Sequence, residues 1–111
     1  MRSPAKRNPI RLPPLPTKVT VRDQVRDFQR TLAPEPRKAM KSAILGLANG
    51  RGDIKSLEDV LEGFYRLRVG HHRIIFRYAT DGAIDCIHAA PRAFLYEVFS
   101  FRLRDFIDPR D

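Results

Sequence analysis

The strongest constraint in this sequence is a change of period at Gly63. Between Val25 and Leu47 apolar residues recur at helical spacing, and beyond Gly63 they alternate one by one. Tyr65-Arg66-Leu67-Arg68-Val69 reads as a strand, Gly70-His71 as a tight loop, and His72 to Ala79 as a second strand. Asp81-Gly82 is a strong two-residue hairpin signal, and Ala83 to Ala90 makes a third strand. Three strands joined by such short connections can only form an antiparallel meander.

The residues before the meander supply what covers it. Lys18 to Val21 alternates and reads as a short strand. Val25, Phe28 and Leu32 then fall on one face of a helix, which Pro34 and Pro36 break while opening a second helix. The second helix buries Met40, Ile44 and Leu47 and stops near Asn49-Gly50, a pair suited to a left-handed cap. Arg51 to Glu62 reads as a loop or short turn with Ile54, Leu57, Val60 and Leu61 tucked inward. Pro91 suits the first turn of a last helix, with Phe94, Leu95, Val98, Phe101 and Phe106 as its apolar stripe. There is no internal repeat. The expected fold is α+β: a small antiparallel, mixed-edge sheet of about four strands packed on two N-terminal helices, with a C-terminal helix.

The two loops fix an expected register. With Gly70-His71 as a two-residue loop, Val69 faces His72, Arg68 faces Arg73, Leu67 faces Ile74 and Arg66 faces Ile75. With Asp81-Gly82 as another, Arg77 faces Cys86, Phe76 faces Ile87, Ile75 faces His88 and Arg73 faces Ala90. Residues opposite one another share a face. One face then collects Tyr65, Leu67, Val69, Ile74, Phe76, Tyr78, Ile87 and Ala89, an apolar set that belongs against the helices. The other collects Arg66, Arg68, Arg73, Arg77 and His88, with Ile75 and Cys86 among them. A slip of one residue would bury the arginines, so the pattern itself favours this register.

Size and charge exclude several classes. With 111 residues the chain is one small domain, too short for a multi-domain enzyme built on a large cofactor fold. A single cysteine, Cys86, excludes an internal disulfide framework and a cysteine-built zinc site. No run of about 18 apolar residues is present to span a membrane. The N-terminus is basic but lacks the apolar segment of a secretory signal, so the cytoplasm is the expected compartment. Residues 1–16 hold five prolines and the cations Arg2, Lys6, Arg7 and Arg11 without any acid, half of the net charge of +8. They are expected to form an extended or disordered extension to a domain over residues 17–111. Within the extension, Pro13 to Lys18 matches a PxxPxK polyproline ligand, a short and undemanding pattern. Arg51-Gly52-Asp53 reads as an ordinary glycine turn rather than an adhesion motif.

The excess of cations suits a polyanion or an acidic protein partner, and equally serves solubility alone. The arginine face narrows this. Arg68 set against Arg73, with Arg66 beside them, costs up to about 1 kcal/mol, and the meander offers no acid on that face to relieve it. Either the guanidinium groups splay into water, or they form a cradle for phosphate, onto which guanidinium forks well. Arg92, at the start of the last helix, can join such a cradle, because helix N-termini also favour anions.

The segment Leu61-Glu62-Gly63-Phe64-Tyr65-Arg66-Leu67-Arg68-Val69-Gly70-His71-His72-Arg73-Ile74-Ile75-Phe76 resembles the signature stretch of RelE/ParE-type toxins of bacterial type II toxin–antitoxin systems. The order of elements is similar too, over roughly Lys18 to Phe99. The resemblance implies one of two activities. RelE-like toxins cut messenger RNA in the ribosomal A site without a metal or other cofactor, whereas ParE-like toxins inhibit DNA gyrase; both bind a small antitoxin. An inactive antitoxin-binding module is a third possibility. Carried over residue by residue, the phosphate-binding and activating positions are Arg66, Arg68 and Arg73. Ala90-Pro91-Arg92-Ala93-Phe94-Leu95-Tyr96 matches a later family segment; Arg92 and Tyr96 are kept, but Pro91 stands where histidine is common.

The RNA-cleaving reading assigns charge stabilisation in the transition state to Arg68 and Arg73. Arg66, Arg92 and Arg77 hold flanking phosphates. Tyr96 stacks on a base or transfers a proton, and His88, His71 and His72 are acid/base candidates because histidine titrates near neutrality. Histidines without carboxylates at ligand spacing give no reason to expect a metal. Cys86 reads as a small sheet residue and not a nucleophile. The implied partners are a cognate antitoxin and messenger RNA on the ribosome, with no membrane.

Overall fold

A computed structural model describes residues 17–95 and Phe99. Strand β1 (Val19–Val21) leads into helix α1 (Asp23–Arg30) and helix α2 (Pro34–Leu47). Strands β2 (Asp53–Ser56), β3 (Tyr65–Val69), β4 (His72–Tyr78) and β5 (Ile84–Pro91) follow, with single turns of 3₁₀ helix at Asp59–Leu61 and Arg92–Phe94. The five strands form one sheet in the order β1-β5-β4-β3-β2. β1 runs parallel to β5, and every other pair is antiparallel. The α+β class and the mixed edge are as expected; the sheet has one strand more. The proline-rich extension (residues 1–16), Tyr96 and nearly all of the expected C-terminal helix lie outside the described residues.

The helices begin and end where the sequence places the signals. α1 carries Asp23 in its first turn and Arg30 in its last, both aligned with the helix dipole. α2 opens on Pro34, and closes through Gly50, whose φ of +71° lets its N–H reach Leu47 O at 3.0 Å. Val25 of α1 and Met40, Ile44 and Leu47 of α2 pack on Leu67, Ile74, Phe76, Ile84, Cys86 and Ala89 of the sheet. Full burial of each large member stabilises the fold by about 1.5–3 kcal/mol. Gln24 closes a gap in the ladder just beyond the short strand β1. Its Nε2 donates to Ala89 O at 2.8 Å, and Ala89 N donates to its Oε1 at 2.7 Å. One side-chain amide thus satisfies both main-chain groups of Ala89.

The β3–β4 register is the expected one, Val69 on His72 through Arg66 on Ile75. Gly70, at φ +60°, provides the first position of the two-residue turn. In β4–β5 the pairs Arg73–Ala90, Ile74–Ala89 and Ile75–His88 also fall as expected. Beyond them the register shifts by one between Ile75 and Phe76, so that Phe76 meets Cys86 and Arg77 meets Asp85. Ile87 is the extra residue of a β-bulge. The loop lengthens to match: Ala79 N donates to Ala83 O at 2.8 Å, leaving Thr80-Asp81-Gly82 as a three-residue turn. Gly82 adopts φ +85° there, and Asp81 Oδ1 accepts from Ala83 N.

The bulge corrects two assignments. Cys86 sits on the helix-facing core, and Ile87 lies on the opposite face. That opposite face is not simply polar. Ile75, Ile87 and Ala90 pack with Phe64, Leu95 and Phe99 in a second apolar cluster. This is why Ile75 interrupts the run of arginines. Residues 51–62 also differ from the expected loop: Asp53–Ser56 pairs along β3 as an edge strand. Ile54, Leu57 and Leu61 do pack inward, but Val60 is 77% exposed.

Candidate anion-binding site

The face that carries the second cluster also carries the cations. Register places Arg68 against Arg73 on one side and Asp53 on the other, and Arg66 against Ile75 and Lys55. Asp53 and Lys55 therefore join this face from β2, where the sequence alone predicts a loop or short turn. The expectation that Arg68 has no acid to relieve it is corrected accordingly. Asp53 Oδ2 lies 3.8 Å from Arg68 Nη1, and Oδ1 lies 3.5 Å from Arg66 Nη1. One carboxylate is spread between two guanidinium groups, at ion-pair distances too long for hydrogen bonds.

The arginines differ in reach. Arg68 has 57% of its side chain exposed, and Arg66 only 15%. Arg73 is 9% exposed, and its Nη1 donates to Gly70 O and His72 O, both at 2.9 Å. A charged donor ties down both carbonyls and so braces the β3–β4 turn. Arg73 turns its guanidinium toward this turn while lying opposite Arg68, which eases the repulsion between them. Arg77 Nε lies 3.7 Å from Asp85 Oδ2, with its guanidinium 5.9 Å from the centre of the Phe64 ring. Asp85 is held mainly by Arg22, whose Nε and Nη2 fork onto it at 2.9 and 2.7 Å. That hydrogen bonding raises the Arg22 pKa above its ordinary value. Arg77 thus belongs to the Arg22–Asp85 hub near β1, and the cradle proper is Arg66, Arg68 and Arg73.

Arg92 is exposed, and its main-chain N–H donates to His71 O at 2.9 Å, which sets it beside the turn that Arg73 braces. It stands in a single 3₁₀ turn of three residues. Leu95, directly after this turn, is helical, and most of the expected helix lies outside the described residues.

Two of the three histidines, His88 and His72, do not join the cradle as expected. His88 shares its face but is 1% exposed, with its ring 5.8 Å from that of Phe99. That packing walls it off from any solvent-borne substrate. His72 lies on the helix side, edge-on to Phe28 at 5.4 Å. Burial, with His71 and Arg73 nearby, lowers its pKa. Cys86 is fully buried, and burial pushes its thiol up to about 12. An unionised, enclosed thiol is no nucleophile, as expected. Among the described residues no cluster of His, Cys, Asp and Glu has the arrangement of a metal site.

No family model matches the chain, and no curated protein matches it in sequence. Solved structures do. The RelBE2 toxin–antitoxin complex of Mycobacterium tuberculosis matches with a TM-score of 0.62 at 21% identity, over 70% of this chain and 100% of that one. The archaeal RelE–RelB complex of Pyrococcus horikoshii matches at 0.59 and 22%, over 70% and 97%. The chain has the RelE fold. The RelB–RelE complex of Methanococcus jannaschii gives the same answer, with a TM-score of 0.58 at 23% identity over 71% and 96%. At these identities the RelE likeness is one of fold, and the chemistry rests on the side chains described above.

Proposed function

We propose that this chain is the toxin of a type II toxin–antitoxin pair and that it cleaves messenger RNA, engaged on the ribosome, without a metal. The observation that carries this reading is the convergence of Arg66, Arg68 and Arg73 on one sheet face, where Asp53 is shared between the first two. Guanidinium groups gathered on one face attract a sugar–phosphate chain. The solved complexes of like fold support an antitoxin as its partner, and the basic surface suits an acidic one.

The cleavage is an attack by the ribose 2′-hydroxyl on the adjacent phosphate, with expulsion of the 5′-oxygen. Arg68, the most open of the three, stabilises the charge that builds on the phosphorane oxygens. Arg73 acts from behind, fixing the turn and keeping positive potential under the site. Arg66 and Arg92 hold the neighbouring phosphates, and Lys55, in register with Arg66, adds to the field. His88 and His72 drop out of the acid/base set, one by burial and the other by lying on the helix side. Tyr96 and His71 stay in it.

Expression of the protein, followed by mapping of RNA 5′ ends on translated messages, tests the proposal. Cuts confined to translated codons are the expected result. Intact messages with a loss of plasmid supercoiling would replace it with gyrase inhibition, and intact messages with normal supercoiling would leave an antitoxin-binding module.

A further inference from the structure

We propose that Asp53 is a resident competitor for the phosphate: its carboxylate occupies the place between Arg66 and Arg68 that a bridging phosphate would take, and so sets the affinity of the site. This rests on the reading of the cradle as a phosphate site. Register holds Asp53 there, since it pairs with Arg68 across the β2–β3 ladder, and each carboxylate oxygen faces a different guanidinium. The contacts of 3.5 and 3.8 Å are close enough to cancel charge and too long to lock it. The carboxylate is half-exposed, so it can swing into water as an anion enters. Asp53 therefore has two effects of opposite sign. In the free protein it relieves the crowding of Arg66, Arg68 and Arg73; against substrate it subtracts one unit of attraction. The chain trades binding strength for a cradle that is stable when empty. Asp53 is a positioning residue, acting through the two arginines.

The test uses the full chain and two probes, a short single-stranded 2′-O-methyl RNA that cannot be cleaved and inorganic tripolyphosphate. Asp53→Asn keeps the shape and removes the charge, Asp53→Glu restores the charge, and Glu35→Gln makes the same change in net charge on the exposed start of α2. Asp53→Asn should bind both probes about five-fold more tightly at low salt, with a salt slope steeper by about 0.7 for the RNA. Asp53→Glu and Glu35→Gln should stay near the parent, and the gain should vanish when Arg66 and Arg68 are also replaced by Ala. Thermal unfolding establishes that each variant is folded; if Asp53→Asn is not, Asp53→Ser serves in its place. Equal RNA binding by the parent and Asp53→Asn would overturn the role of Asp53 while leaving the ribonuclease reading intact. So would an equal gain from Glu35→Gln, or a gain that survives loss of both arginines. Tighter tripolyphosphate binding by Asp53→Asn, without RNA binding by either protein, would uphold the role of Asp53 and sink the ribonuclease.

Discussion

Arg68→Ala separates chemistry from folding better than any other substitution in the cradle. The side chain is more than half exposed, and its acidic neighbour among the described residues, Asp53, sits 3.8 Å away and is shared with Arg66. An exposed pair of this kind contributes about 0–1 kcal/mol, and removing Arg68 also removes its repulsion of Arg73, worth up to about 1 kcal/mol in the other direction. The two nearly cancel, so stability should change by no more than about 0.5 kcal/mol. Activity should behave differently. A group that stabilises charge only in the transition state costs about 2.7–4 kcal/mol when removed, or about 100- to 1,000-fold in rate. The assay is single-turnover cleavage of a message on purified ribosomes, read beside thermal unfolding of the free protein. A variant that melts with the parent and cuts at least 100-fold more slowly meets the expectation. A variant that cuts within three-fold of the parent would refute the assignment of the arginine face as the reaction site.

Other expectations concern the frame around the cradle. Gly52→Ala places a Cβ 2.7 Å from Leu67 Cδ1 at a φ of +130° and should cost about 1–3 kcal/mol, read as a lower urea midpoint; an unchanged midpoint would mean that β2 yields freely. Cys86, buried with its thiol pushed up to about 12, should resist iodoacetamide at neutral pH in the native protein and react only after unfolding, by mass spectrometry; modification of the folded protein would contradict its placement. Burial lowers the His72 pKa, so the unfolded chain takes up a proton more readily than the folded one. Its contribution to stability is complete above the ordinary value of 6.5 and is lost as pH falls from there through the lowered folded value. The melting temperature should therefore drop across that window, and His72→Gln should flatten the drop; parallel profiles would assign it to other groups.

Register was legible wherever turn chemistry was unambiguous. Gly70 leaves one way to close the β3–β4 turn, and every pair from Val69–His72 to Arg66–Ile75 follows. Asp81-Gly82 was less decisive, because the same two residues close a two-residue or a three-residue loop. The adjacent apolar pair Cys86-Ile87 breaks strict alternation, and that was the available sign of a bulge. β2 hid behind its composition: Asp53-Ile54-Lys55-Ser56 has one apolar residue, as an exposed edge strand requires, and its polar–apolar–polar alternation is too short to stand alone. The cost fell on the site, since β2 brings Asp53 and Lys55 to the arginines. The guanidinium cluster was readable from strand alternation alone. The burial of His88 was not, because it depends on Phe99 folding back over the sheet.

The parallel pairing of β1 with β5 joins Val19 to Ile84 across most of the domain. β5 lies between β1 and the central strand β4, and α1 packs on it, so β1 and α1 lack the surface they settle on until residues near 91 have emerged from the ribosome. A nascent chain of this design therefore carries its first strand and first helix without their sheet partner while β2, β3 and β4 are made.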